Sequence, residues 1–455
     1  MAPTAVFFGV VTVVAVGTVL LKAPVAQWLL AGLVCYKLPD LKAVGKDGKE
    51  IKGMRPGFFD RKAHAQGRTR QRKGGKAAAR ALQRSMARIG AAQHLQLVPM
   101  PQSAVPALKF FEEYDRLTLL VVVAAANLAA QVAAGRESLL LLVFAAAALL
   151  ASLYTSAKAT LHSKLSPGLE KGVAVTFTAV SFCAALAVLA LMTDAVLDFE
   201  FDAAARELGP HLDGWLGKRG LLRGRGPTEV KAVQLKVAAA AAGALFGGLS
   251  AAAALRCARS YVLATRPPPW AAENGLCGIS GAGRAALHAA AVAPLLASLL
   301  WVTPMWTSDP AGGGTQAWQA GGLVLTAAVQ MAACRPTLQA FLHTGLVEWY
   351  SLKHGRVQGT AAQEKQLARL VEAKVDLNII LLCKVAVQAS QPAFQCFCLG
   401  ALLHLGRAQE EAAGEGLVPP SLLRTMAGFL GWWVCVTWQF CSLVSLLLLR
   451  TGILR

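Results

Sequence analysis

The sequence is short of charge. Of its 455 residues only 15% are charged, 55% are hydrophobic, and the mean hydropathy is +0.48. Soluble domains carry about 25% charged residues, so a soluble globular fold is excluded. Several apolar runs approach the roughly 20 residues that carry a helix across a bilayer. Catalytic signatures are missing too: no HExxH, GxSxG or GxxxxGK[ST] stretch occurs. GISGAG at Gly278–Gly283 is glycine-rich, but no strand precedes it and its order is wrong for a nucleotide loop. The ten cysteines form no CxxC pair and no zinc spacing. Cys183, Cys383, Cys396, Cys398, Cys435 and Cys441 lie in apolar runs and read as small buried hydrophobes. No N-x-[ST] acceptor is present. We therefore expect an all-α polytopic membrane protein that is not an enzyme and uses no cofactor and no metal.

Nine apolar segments are candidate spans. The first four are Thr4–Leu21, Leu117–Ala134, Ser138–Ala157 and Gly172–Thr193. Val237–Leu255, Ala285–Trp306, Trp318–Cys334, Leu377–His404 and Ala427–Leu449 follow. A shorter piece, VAQWLLAGLVCY at Val25–Tyr36, cannot cross and reads as an interfacial helix with Trp28 and Tyr36 at headgroup level. Thr4–Leu21 could also be a signal peptide, but no basic residue precedes it. The expected layout is a first span with its interfacial helix (1–36), a basic cytoplasmic loop (37–116) and a multi-span domain (117–455).

Loop charge orients the chain. The net charge is +20, most of it between Lys37 and Arg88. With the N-terminus outside, the inner loops are 22–116, 158–171, 256–284 and 335–376, and these collect the Lys and Arg residues. The outer loops are short or mixed in sign. That is the positive-inside pattern, and it puts the C-terminus in the cytoplasm, in a plasma membrane or endomembrane.

The eighth span reads DLNIILLCKVAVQASQPAFQ over Asp376–Gln395. Lysine at the centre of a bilayer helix costs roughly 2.5–3.5 kcal/mol, so Lys384 needs a partner, a cavity or a protein environment. Lys384, Gln388, Gln391 and Gln395 follow at helical spacing, with Asp376 two turns earlier on the same stripe. Two readings stand side by side: a polar path for an ion or small molecule, or a face whose glutamines bond across helix interfaces. Asp194 and Asp376 are the candidate partners for Lys384, although Asp376 is about 12 Å away along the axis. Pro392 should kink the helix or free a carbonyl.

Other features are less specific. Lys236 and His288 read as interfacial anchors, and Asn127, Gln131 and Gln330 as interface contacts. Gly243, Gly247 and Gly248 suit close helix packing, within the chain rather than between copies. Asp194, Asp198, Glu200 and Asp202 either gather cations or form a solvated surface. In the basic segment Arg80, Arg84 and Arg88 share one face, with Leu82, Met86 and Ile89 on another. This resembles a cationic helix lying on anionic lipid; plain topogenic charge is the bland alternative. Nucleic acid is not expected, because the segment has few aromatics for base stacking.

Several stretches together resemble the transmembrane protein 161 family: VAQWLLAGLVCYKLP, VAVTF at Val173–Phe177, AVAPLLASLLWVTP at Ala291–Pro304 and LQAFL at Leu338–Leu342. GRV at Gly355–Val357, LCKVAVQASQP and FLGWWVC at Phe429–Cys435 continue the series. The resemblance implies a eukaryotic multi-pass protein without catalytic activity. It also implies links to membrane excitability, through restraint of potassium and calcium currents, and to oxidative-stress tolerance. The family pattern has counterparts for Gln388 and Pro392, whereas position 384 is apolar in it, and the first loop here is unusually long and basic. The expected function is modulation of ion flux through a channel or other membrane-protein partner. The alternative is a transporter or channel lined by the eighth span.

If residues 69–90 bind the anionic leaflet, a peptide of that segment will bind anionic liposomes with an affinity that falls steeply with salt. Equal binding to neutral and anionic vesicles would remove that role from Arg80, Arg84 and Arg88.

Overall fold

The computed structural model describes residues 25–37, 96–134, 139–162, 168–192, 196–197, 199–218, 229–274, 276–302, 313–354, 361–411 and 418–453. The first span (Thr4–Leu21), Asp194 and the arginines Arg80, Arg84 and Arg88 lie outside the described residues.

Nearly all of the described chain is helical. The elements are α1 (Val25–Leu30), β1 (Val34–Lys37), β2 (Gln96–Pro99), α2 (Phe111–Ala134), α3 (Leu139–Ala157), α4 (Gly168–Leu191) and α5 (Phe201–Lys218). They continue with α6 (Ala232–Thr265), α7 (Gly281–Leu299), α8 (Gly313–His354), α9 (Ala361–Glu411) and α10 (Pro420–Arg450). Eight helices are long and apolar enough to cross a membrane: α2, α3, α4, α6, α7, α8, α9 and α10. They correspond to the second through ninth spans expected from sequence.

The helices run well past the apolar windows. Helix α9 has 51 residues and α8 has 42. At 1.5 Å per residue α9 is about 76 Å long, more than twice a hydrocarbon core of roughly 30 Å. Much of what reads as the 335–376 loop is therefore helix, continuing out of the bilayer. The backbone stays helical through Pro392. Helix α9 packs against α2, α3, α6, α8 and α10, and 83% of its apolar window is buried, against 22% for α4. It is the central pillar, and α4 lies at the lipid side.

The Val25–Tyr36 piece departs from the expectation. Only Val25–Leu30 is helical. Gly32, with φ +73°, turns the chain, and Val34–Lys37 pairs antiparallel with Gln96–Pro99, Val34 opposite Pro99. A chain exposing backbone groups at a membrane surface needs partners for them, and β2 and α8 supply these. Gln339 Oε1 accepts from Val34 N–H at 2.9 Å and its Nε2 donates to the Val34 carbonyl at 3.2 Å. Trp28 is exposed, as an interfacial anchor should be, but Tyr36 is buried. Its hydroxyl bonds His343 Nδ1 at 2.5 Å. Burial pushes the Cys35 thiol up to about 12 and Cys277 to about 11, so both stay as inert thiols. All ten cysteines are free, and Cys183 is exposed on α4 rather than buried.

The glycines of α6 set the helix spacing. A Cβ at Gly248 would lie 1.8 Å from Thr178 Oγ1 and 2.8 Å from the Ala174 carbonyl; one at Gly247 would lie 2.2 Å from Ser181 Oγ. A Cβ at Gly243 would lie 2.9 Å from the Trp433 ring, whose Nε1 donates to the Gly243 carbonyl at 3.1 Å. These glycines pack α4 and α10 onto α6 within the chain, and they place Trp433 of the FLGWWVC stretch.

Forcing a side chain into such a contact costs typically about 1–3 kcal/mol. Gly248→Val should lower the thermal unfolding midpoint in detergent, while Gly321→Ala, with nothing within 4 Å, should not. Equal midpoints for Gly248→Val and wild type would contradict the close α4–α6 approach.

Candidate functional site: a buried ionic network

The polar stripe of α9 begins in an ion cluster built from four segments. Lys384 Nζ donates to Glu170 Oε2 at 2.9 Å. Arg256 Nη2 donates to the same oxygen at 2.6 Å, and its Nη1 donates to Gln388 Oε1 at 2.9 Å. Gln388 Nε2 then donates to Glu170 Oε1 at 3.0 Å and to Thr160 Oγ1 at 3.3 Å. Arg256, Gln388 and Glu170 thus close a ring, with Lys384 as a second cation on the carboxylate. Lys384 and Thr160 are 0% exposed, Gln388 1% and Glu170 8%.

Each segment delivers its residue for a local reason. Glu170 is in the first turn of α4, where a carboxylate also faces the positive end of the helix dipole. Thr160 sits in a π-helical turn, Lys158–His162, that continues α3. Arg256 lies nine residues before the end of α6. Lys384 and Gln388 are one turn apart on α9. Because Glu170 is the third residue of α4, the cluster lies at the level where that helix starts, toward one membrane face rather than mid-bilayer.

Glu170 holds Lys384, and Asp194, one of the two expected partners, lies outside the described residues. Asp376 is half-buried and engaged in contacts of its own, and eight residues separate it from Lys384. Glu170 was hidden by its position, two residues ahead of the run beginning at Gly172, where it reads as loop charge; Arg256 was hidden likewise. One signal was available: Glu170 is the only acidic residue of 158–171 among Lys158, Lys164 and Lys171.

The rest of the stripe differs in kind. Gln391 and Gln395 are buried to 1% and 0% exposure, and neither amide nitrogen nor oxygen has a hydrogen-bond partner among the described residues. Neither the cavity bordered by Gln330, Thr337 and Trp438 nor the one at the junction of α4, α5 and α6 is lined by Lys384 or by these glutamines. Elsewhere, Gln330 Nε2 bonds the Ala290 carbonyl across α7 and α8 at 2.9 Å, as expected, whereas Asn127 bonds the Val123 carbonyl of its own helix. His288 bonds the Tyr261 hydroxyl at 2.8 Å. Ser280 caps α7 by accepting from Gly283 N–H at 3.1 Å, so GISGAG starts a helix. Glu200 of the acidic group forms an ion pair with Arg424, which also reaches Glu410. No group of His, Cys, Asp or Glu able to hold a metal occurs among the described residues.

With this geometry in place, comparison with known proteins is decisive on family alone. The sequence model for the family described as predicted transmembrane protein 161AB matches residues 4–310. The chain belongs to that family. No curated protein and no solved structure matches it. The matched region of this transmembrane 161AB chain contains Thr160, Glu170 and Arg256, and it ends before Lys384 and Gln388.

Charge counting ranks the variants. One carboxylate faces two cations, so Lys384→Met leaves a neutral Glu170–Arg256 pair, while Glu170→Gln leaves the buried Lys384 beside the part-buried Arg256 with no anion between them. Removing one partner of a buried pair costs about 3–5 kcal/mol. Glu170→Gln should reach that range and Lys384→Met should fall well below it, measured by chemical or thermal unfolding in detergent micelles. The reverse order would refute the shared-carboxylate geometry.

Proposed function

We propose that the protein is a non-enzymatic membrane protein that modulates ion flux, and with it membrane excitability, by acting on partner membrane proteins rather than by conducting. The observation that supports this most is the enclosure of α9. Its polar stripe faces protein, and the ammonium of Lys384 is fully buried against a carboxylate. A conducting site must bind its ion weakly and admit water, whereas a lysine held by a carboxylate in a packed interface does neither. The interior then serves as a rigid frame, and the lipid-facing helices, α4 above all, are the surfaces a partner would meet. The same reading includes tolerance of oxidative stress, anionic lipid at the basic segment, and a plasma-membrane or endomembrane location with the C-terminus in the cytoplasm.

A second reading keeps one specific support. Gln391 and Gln395 are buried without partners among the described residues, as groups lining a path for an ion or small polar solute would be before that solute enters.

The two readings separate in one pair of measurements. The purified protein in liposomes should pass no potassium or calcium flux above empty vesicles, and Lys384→Leu should not change this. Co-expression with potassium or calcium channels should alter their currents and allow co-purification. Flux from the protein alone, abolished by substitutions at Gln391 or Gln395, would reverse the assignment.

A further inference from the structure

The ends of α4 and α6 meet α5 around a cavity of about 180 Å³. Its lining combines apolar side chains, Val188 and Met192 among them, with the charged Glu200, Asp202, Arg206 and Lys236. Depth is fixed by the spans. The candidate span of α4 ends at Leu191, and α6 begins at Ala232 with its apolar run starting at Val237, so the cavity lies at a bilayer boundary, with Lys236 at the edge of that run. Leu191 and Met192 are exposed toward lipid at 79% and 48%.

The charges there are not mutually satisfied. Glu200 is taken by Arg424. Asp202, Arg206 and Lys236 make no ion pair or side-chain hydrogen bond among the described residues, and Lys236 is half-buried. A half-buried lysine at the end of a span gains from an anion at headgroup depth. A phosphodiester supplies one, and two cations converging on it form charge-assisted hydrogen bonds. The remaining carboxylate, Asp202, then matches a primary ammonium carried next to that phosphate. Apolar surface at Val188 and Met192 continues from the cavity down α4, as acyl chains require.

We propose that this cavity binds the headgroup of an aminophospholipid of the phosphoethanolamine class. Arg206 and Lys236 hold the phosphate, Asp202 accepts from the ammonium, and the chains lie along the end of α4. This assignment is independent of whether the protein modulates or conducts ions.

The test uses the purified full-length protein in detergent. Short-chain phosphatidylethanolamine, short-chain phosphatidylcholine and inorganic phosphate are titrated separately, with the unfolding midpoint as readout and native mass spectrometry counting bound lipid. Phosphatidylethanolamine should raise the midpoint saturably. Phosphatidylcholine, which has no N–H to donate, should bind several-fold more weakly, and inorganic phosphate should leave the midpoint unchanged. Lys236→Gln with Arg206→Gln should weaken phosphatidylethanolamine binding about tenfold or more. Asp202→Asn should erase the preference over phosphatidylcholine while phosphate-dependent binding persists. Each midpoint shift is taken relative to the same variant without lipid, so a less stable fold does not mimic lost binding. Equal affinity for the two lipids in the wild type, an equal shift from inorganic phosphate, or unchanged binding in the double variant would overturn the site.

Discussion

One carboxylate organises the polar interior. Glu170 receives Lys384 and Arg256 on one oxygen and Gln388 on the other, which ties α4, α6 and α9 together where lipid could offer no hydrogen bond. Water would weaken each of these contacts; a low-dielectric interior strengthens them and makes any unpaired member costly. α4 has the least buried apolar window of the eight candidate spans. Its attachment therefore rests on this network at its first turn and on the close glycine contacts with α6 further along. Two different kinds of interaction, ionic and steric, hold the same helix.

The rest of the bundle is built around α9. The residues from Ile379 to Phe394 share a core with α1, β1, α2 and α8, and those from Cys396 to Leu405 share a second core with α3, α4, α6 and α10. The aromatic side chains of Phe199, Phe201, Phe429, Trp432 and Trp433 pack edge-on, tilted or stacked at the second. Such rings bury large areas and fix relative orientation. A helix enclosed to this degree suits a frame better than a gate.

Eight of the expected spans and their helical type were readable in the sequence because about 20 apolar residues in a row have few other uses. Eight expected spans have counterparts, and the internal role of Gly243, Gly247 and Gly248 followed from their spacing. Helix ends were not readable, since hydropathy marks where lipid begins rather than where hydrogen bonding stops; α8 and α9 continue through segments that look like loop. The β1–β2 pairing was hidden because 58 residues separate the strands and β1 continues an apolar run. For the site, the need of Lys384 for a partner was legible and the partner was not. Periodicity reports neighbours along one helix, whereas Glu170 lies 214 residues away. It belongs to α4, whose charged first turn resembles an inner loop. Gln388 joined the network as its place on the stripe suggested, while Gln391 and Gln395 share the stripe without sharing the bonds.

A buried ion cluster at one end of a lipid-facing helix, an enclosed centre and a charged cavity at a membrane boundary are the three polar features of this bundle. The central claim is that Lys384 is neutralised by Glu170 and that this coupling holds α4 to the pillar. A double-mutant cycle on Glu170→Gln and Lys384→Met, followed by unfolding in detergent, tests it most directly. The account predicts a coupling of about 1–3 kcal/mol, the double variant being more stable than the sum of the single losses allows. Strict additivity of the two substitutions would contradict it.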